Sequence, residues 1–181
     1  MSEQLPGGLL GTAEKRAGRL GGGAYAFVLS LAVLAGCGLV GLLVEQPFLF
    51  PSLGPVAMLF FESPRLPSAA PRNTLAGHGV AILAGALCLL LFGLTDDPPV
   101  IQQGLTAARI GAAALSVALT ALVLKLLAAP HPPAGATTLI VSLGLLTSAS
   151  ELVTMALSIV LLTVLGVALN RLFGVRQPLW T

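Results

Sequence analysis

The sequence predicts an all-α membrane protein with four long transmembrane helices and two short half-helix segments interrupted by proline and glycine, arranged as a 3+3 inverted repeat. Three observations carry this. Of the 181 residues, 56% are apolar and only 9% charged, against about a quarter charged in soluble domains. Nine basic and seven acidic residues cannot supply the charged shell that a water-facing core needs. Four apolar stretches are long enough to cross roughly 30 Å of hydrocarbon at about 1.5 Å per residue. Finally, the 21 glycines and 13 prolines are helix breakers tolerated at membrane depth only where neighbours re-satisfy the backbone. A soluble enzyme is excluded, and a net charge of +2 leaves no broad basic face for nucleic acid.

Residues 1–23 are polar and Gly-rich, with Lys15, Arg16 and Arg19 just before the first apolar run. They read as a retained cytoplasmic leader rather than a cleaved signal peptide. Residues 24–44 carry no charge and form the first span; residues 75–94, with only His78 near their start, form the second. Residues 104–127 form the third, with Arg109 and Lys125 near its two ends. Both cations are expected to snorkel, because a midplane charge costs about 2.5 to 3.5 kcal/mol on insertion. Residues 152–170 form the fourth, with Ser148 or Ser150 capping its start and Glu151 complementing the helix dipole. Cys37 and Cys88 sit inside apolar runs without CxxC spacing, as core or lipid-facing residues rather than a disulfide or metal pair. Asp96 and Asp97, followed by Pro98 and Pro99, read as a solvated turn, and Glu62 with Arg65 as an interfacial one. The whole is one transmembrane domain over residues 24–175, in halves 24–94 and 104–171, with a short tail at 176–181.

Two apolar stretches, 48–61 and 134–147, are too short to cross comfortably as helix alone. Pro47 and Pro51 precede one; Pro130, Pro132 and Pro133 precede the other. Proline forces an extended approach and is then tolerated in the first helical turn. Pro51-Ser52-Leu53-Gly54 aligns with Pro132-Pro133-Ala134-Gly135, so the order of elements is long, short, long, twice over. If all six segments cross with the N-terminus inside, every Lys and Arg except Arg109 falls on the cytoplasmic side; re-entrant short segments would move Arg65, Arg72 and Lys125 outside. The positive-inside rule therefore favours six crossings. Three crossings per half invert the second half, put both termini in the cytoplasm, and in a bacterium place the protein in the inner membrane.

A half-helix beginning at depth leaves unpaired N–H groups and a partial positive charge, which suit an anion. The candidate binding residues are Ser52 and Gly54 at the first break, and His131, Ala134, Gly135, Ala136, Thr137 and Thr138 at the second. The competing reading is that the small residues permit close helix packing and the threonines bond back to their own helix. His78 and His131 are the only histidines; either imidazole could charge the site or relay a proton. His78 could equally make a helix-packing hydrogen bond. Neither has a carboxylate at i+3 or i+4, so no metal site is expected, and no cofactor is called for. No serine–histidine–carboxylate or cysteine–histidine set points to an enzyme.

With these residues in view, the stretch 51–138 resembles the HPP family of integral membrane proteins, named for the tripeptide seen here as His131-Pro132-Pro133. The signature continues intact through Ala134-Gly135-Ala136-Thr137, and a second family stretch corresponds to Pro71-Arg72-Asn73 and Gly77-His78. Arg72 and Asn73 thereby join His78 as coupling or gating candidates. The first short segment keeps Ser52 and Gly54 of a Ser-Phe-Gly-Ala-Ser pattern but has Pro55 and Val56 next, removing a backbone donor and a hydroxyl. Counting the flanking spans, the resemblance covers about residues 24–175. Family members in chloroplasts and cyanobacteria are associated with nitrite transport, so the resemblance implies nitrite; the residues alone imply a small anion near two helix N-termini. The expected protein is a transporter or channel in the lipid bilayer that forms a homo-oligomer. The alternative is a non-transporting scaffold whose Gly-rich faces bind another membrane protein.

Overall fold

The computed structural model describes residues 7–180, and among them the chain forms helices and turns with no strand. Residues 1–6 of the expected leader and residue 181 of the tail lie outside the described residues. Seven helices follow in order: α1 (Gly8–Leu43), α2 (Leu53–Glu62), α3 (Pro71–Leu91), α4 (Val100–Gln103), α5 (Ala107–Leu126), α6 (Ala134–Ser142) and α7 (Ala149–Leu172), with a 3-10 turn at Pro67–Ala69 before α3. Helices α1, α3, α5 and α7 are long and apolar enough to cross a membrane, and they match the four expected spans. The short helices α2 and α6 occupy the two proline-led segments.

Local chemistry sets the helix starts. Pro71 takes the first turn of α3, where its missing N–H is no loss. Thr106 Oγ1 accepts the Arg109 N–H at 3.1 Å to start α5. Ser148, rather than Ser150, begins α7 through a capping box with Glu151, each side chain satisfying the other's exposed amide.

The region before the first span departs from a plain polar leader. Helix α1 begins at Gly8 and breaks at Gly18, where φ 55° and ψ −138° interrupt the helical ladder. Only glycine adopts such a conformation without strain. A Cβ on Gly21 would collide with the Ala13 carbonyl two turns earlier, which in a straight helix would lie about 12 Å away. The first segment is thus folded back on the span. Leu9 N–H donates to the Phe173 carbonyl at 2.9 Å, and Leu10 is buried in the main apolar core. This packing outweighs the low helix propensity of a Gly-rich stretch.

Helix α2 packs on α1 and α7, whereas α6 packs on α3 and α5; α3 also meets α5 and α7, and α1 meets α7. Each short helix therefore touches the first long helix of its own half and the last long helix of the other. Glycines bring them close. A Cβ on Gly85 of α3 would lie 2.7 Å from Val141 Cβ of α6, and one on Gly166 of α7 would lie 2.6 Å from Phe60 Cδ2 of α2. The two contacts share one spacing: 141 lies 81 past 60, and 166 lies 81 past 85.

Polar bonds tie the ends together. Tyr25 Oη donates to Asn170 Oδ1 at 2.8 Å. Asn170 Nδ2 in turn donates to the Phe60 carbonyl and to Gln177 Oε1, each at 2.9 Å. Gln177 Nε2 reaches the Ala69 carbonyl, so the tail segment packs against the 3-10 turn. Cys37 and Cys88 are free and fully buried.

Lys125 stays exposed in the last turn of α5, where it complements the helix dipole. Arg109 does not snorkel. Its side chain is 1% exposed and turns inward to the Pro98 carbonyl at 3.0 Å and the Ser142 carbonyl at 3.4 Å, because the end of α6 and the 95–99 turn offer acceptors there.

Gly85→Val and Gly166→Val should each destabilise the protein by about 1 to 3 kcal/mol through overpacking. Gly23→Ala, whose Cβ meets nothing within 4 Å, should be neutral or stabilising by up to about 1 kcal/mol. Thermal unfolding in detergent checks both.

Candidate functional site

The second break builds the richest polar cluster. Pro132 and Pro133 hold the backbone helical just ahead of α6, with Pro133 at φ −58° and ψ −20°. The preceding turn consequently winds as a 3-10 turn. The N–H groups of Ala134, Gly135 and Ala136 donate to the carbonyls of His131, Pro132 and Pro133, each at 3.1 Å. The amides expected to await an anion are thus already occupied.

Side chains do what the amides do not. His131 Nδ1 lies 2.8 Å from the Ser68 carbonyl, His131 Nε2 lies 3.2 Å from His78 Nε2, and His78 Nδ1 lies 2.7 Å from Thr137 Oγ1. A carbonyl only accepts, so His131 carries its proton on Nδ1. With both rings neutral, His131 Nε2 then accepts from His78 Nε2–H, and His78 Nδ1 accepts from the Thr137 hydroxyl. A single assignment of hydrogens satisfies every member: Thr137 to His78 to His131 to Ser68. Both rings and Thr137 are at most 2% exposed, and the rings meet edge to face with centroids 4.9 Å apart. A Cβ on Gly77 would stand 2.8 Å from His131 Cβ, so glycine at that position lets His131 reach α3.

The remaining candidates sort by position. Thr138 Oγ1 bonds back to the Ala134 carbonyl at 3.1 Å and pairs with Thr120 Oγ1 of α5 at 2.9 Å. His131, Pro132 and Gly135 line a cavity of about 750 Å³ whose other wall includes Thr120, Leu124 and Lys125 of α5. Ala134 is fully buried and Ala136 half-buried. Asn73 Nδ2 donates to the Pro67 carbonyl at 2.8 Å, and Arg72 donates to the Leu127 carbonyl at 3.4 Å while sitting 5.4 Å from the Trp180 ring centre. Asn73 thus holds the backbone next to Ser68, and Arg72 reaches the end of α5 ahead of His131.

Ser52 and Gly54 lie elsewhere. The approach to α2 runs beside the end of α1, where a Cβ on Gly38 or Gly41 would touch Leu49 or Phe48 at 3.1 Å. His131 instead bonds to Ser68, beyond the far end of α2. The two breaks enter from opposite ends of the bundle, and no hydrogen bond among the described residues joins them. The Ser52 hydroxyl is buried without a partner.

Sequence reasoning missed Ser68, Thr120, Asn170 and Gln177, and also Thr74, whose Oγ1 donates to the Ala70 carbonyl at 3.2 Å and lies 3.5 Å from His131 Nδ1. Thr74 and His78, and likewise Ser116 and Thr120, stand four apart on one helix face, a spacing that was visible. Ser68 acts through its carbonyl, which has no side-chain signature.

Thr137→Val removes the sole donor to His78 Nδ1 and should cost about 1 to 3 kcal/mol, whereas Thr137→Ser should restore most of it. Equal loss in both variants, read from thermal unfolding, would contradict a stabilising hydrogen bond between this hydroxyl and His78.

The geometry described above spans nearly the whole chain, and so does its family match: the model for "HPP, transmembrane region" matches residues 16–178. No curated protein and no solved structure matches. The matched range runs from just before the bend in α1 to one residue past Gln177, which binds the 3-10 turn, and takes in the His131-Pro132-Pro133 turn, His78 and Thr137. The chain belongs to the HPP transmembrane family.

Proposed function

We propose that this protein is a transporter or channel for a small inorganic anion, with nitrite as the first substrate to test because of the resemblance carried by the His131-Pro132-Pro133 stretch. The observation that carries the reading is the buried Thr137–His78–His131 chain. Ionisable groups inside a membrane domain are expensive and mark ion pathways.

The chain suggests how an anion and a proton would meet. Two Nε2 atoms 3.2 Å apart hold one proton between them; a second would repel. An added proton goes to His78 Nδ1, which then donates to Thr137 Oγ1. That reverses the hydroxyl, and its hydrogen becomes free to bond an anion whose charge balances the new imidazolium. In the neutral state the same hydroxyl is committed to His78. Protonation and anion binding are coupled through one rotating O–H.

The inverted repeat is part of this proposal. Its support is the pair of glycine contacts with a common 81-residue spacing and the reciprocal packing of α2 and α6; the same spacing aligns the two Pro-x-x-Gly breaks. Cytoplasmic termini in a bacterial inner membrane, and assembly into a homo-oligomer, complete the picture, the orientation resting on the basic residues. A non-enzymatic scaffold is the second reading, favoured by the occupied first amides of α6.

Proteoliposomes separate the two. An inward proton gradient should drive nitrite uptake, and Thr137→Val or His131→Ala should reduce it by about tenfold or more, the effect of losing a hydrogen bond to a charged group, while the variants still elute as folded protein. Thr137→Ser should retain flux. Flux no greater than empty liposomes for nitrite, nitrate, chloride and formate would overturn the transport reading and leave the scaffold.

A further inference from the structure

Arg109 is the largest fully buried side chain among the described residues, and it is always charged. Buried charges are normally paired. Its partners are two backbone carbonyls, of which the Ser142 bond at 3.4 Å is long and falls outside the usual range of about 2.7 to 3.2 Å. Together they engage two of its five N–H groups. No carboxylate among the described residues pairs with it. Glu151 is committed to the Thr147 and Ser148 amides and the Ser148 hydroxyl, while in the 95–99 turn Asp96 lies exposed and Asp97, half-buried next to Pro98, makes no ion pair with the guanidinium. The dipoles do not remove the excess either: the end of α6 offers partial negative charge, but Arg109 stands in the first turn of α5, whose N-terminus adds partial positive charge.

A second, independent feature lies beside it. The Ser142 hydroxyl is fully buried and has no hydrogen-bond partner, on the very residue whose carbonyl Nη1 weakly contacts. Next in space is Gly144, at φ 77°, where a Cβ would stand 3.0 Å from Nη1 and 3.2 Å from Nη2; any other residue would press on the guanidinium. An uncompensated cation and an orphan hydroxyl are together the donor set for one negative charge.

We propose that Arg109 and the Ser142 hydroxyl, backed by Gly144, form a binding site for a small inorganic monoanion at the end of α6 opposite the histidine pair. One buried cation without a second beside it suits a single charge, and Gly144 leaves the guanidinium room to sit at the end of α6. The site stands without the transport reading, since binding alone satisfies it.

The test uses the full chain in detergent, with the unfolding midpoint followed against added sodium nitrite, nitrate or chloride, and gluconate holding ionic strength constant. The wild type should gain a saturable anion-dependent rise. Ser142→Ala should weaken half-saturation by about tenfold while folding as well as or better than the wild type without anion, because an unsatisfied hydroxyl is gone. Arg109→Lys should weaken the rise and Arg109→Gln abolish it; should the arginine variants fail to fold, Ser142→Ala decides alone. Gly23→Ala, remote from both polar clusters, should leave the rise intact. No anion-dependent rise in the wild type, or a rise unchanged in Ser142→Ala, would each overturn the site. Binding without liposome flux would sustain it while removing the transport reading; flux without this binding would do the reverse.

Discussion

A polar group facing hydrocarbon must find its partner inside the chain, and the arrangement of this bundle follows from that requirement. The two prolines ahead of α6 would strand its first amides, and the 3-10 turn returns them to nearby carbonyls. Thr138 is shared between its own helix and α5. Asn170 draws α1, α2, α7 and the tail to one point. Glycines at 85 and 166 then let the short helices approach closely enough for those bonds to be shielded from lipid. Polar satisfaction and close packing are two sides of one solution.

Legibility in the sequence tracks how local each cause is. The long spans were readable because hydropathy over about twenty residues leaves few alternatives. The short helices were readable because proline acts on its immediate neighbours. The fold-back of residues 8–17 was not, since it depends on Gly18 and on Phe173 far along the chain. Arg109 illustrates the limit for single residues: a cation near a span end looks the same whether it snorkels or turns inward, and the choice was made by carbonyls at Pro98 and Ser142. At the histidine site the residues were identifiable but the direction of their bonds was not, because Ser68 contributes only backbone.

The two halves share packing but not polarity. Shifting by the spacing of the glycine contacts carries Phe60 to Val141 and Gly85 to Gly166, yet it carries His78 to Ile159 and Thr137 back to Val56, both buried and apolar. The two glycine contacts recur at this spacing, whereas the imidazole chain has no polar counterpart at the shifted positions.

Burial of the two thiols reaches beyond packing. Cys37 and Cys88 are 0% exposed, and inert structural cysteines of this kind react poorly with water-borne reagents. The native chain is therefore a silent background for maleimide chemistry. A lone cysteine placed in the 92–99 turn or beside Arg19 would report its side of the bilayer directly, with no native residue removed to make room for the measurement.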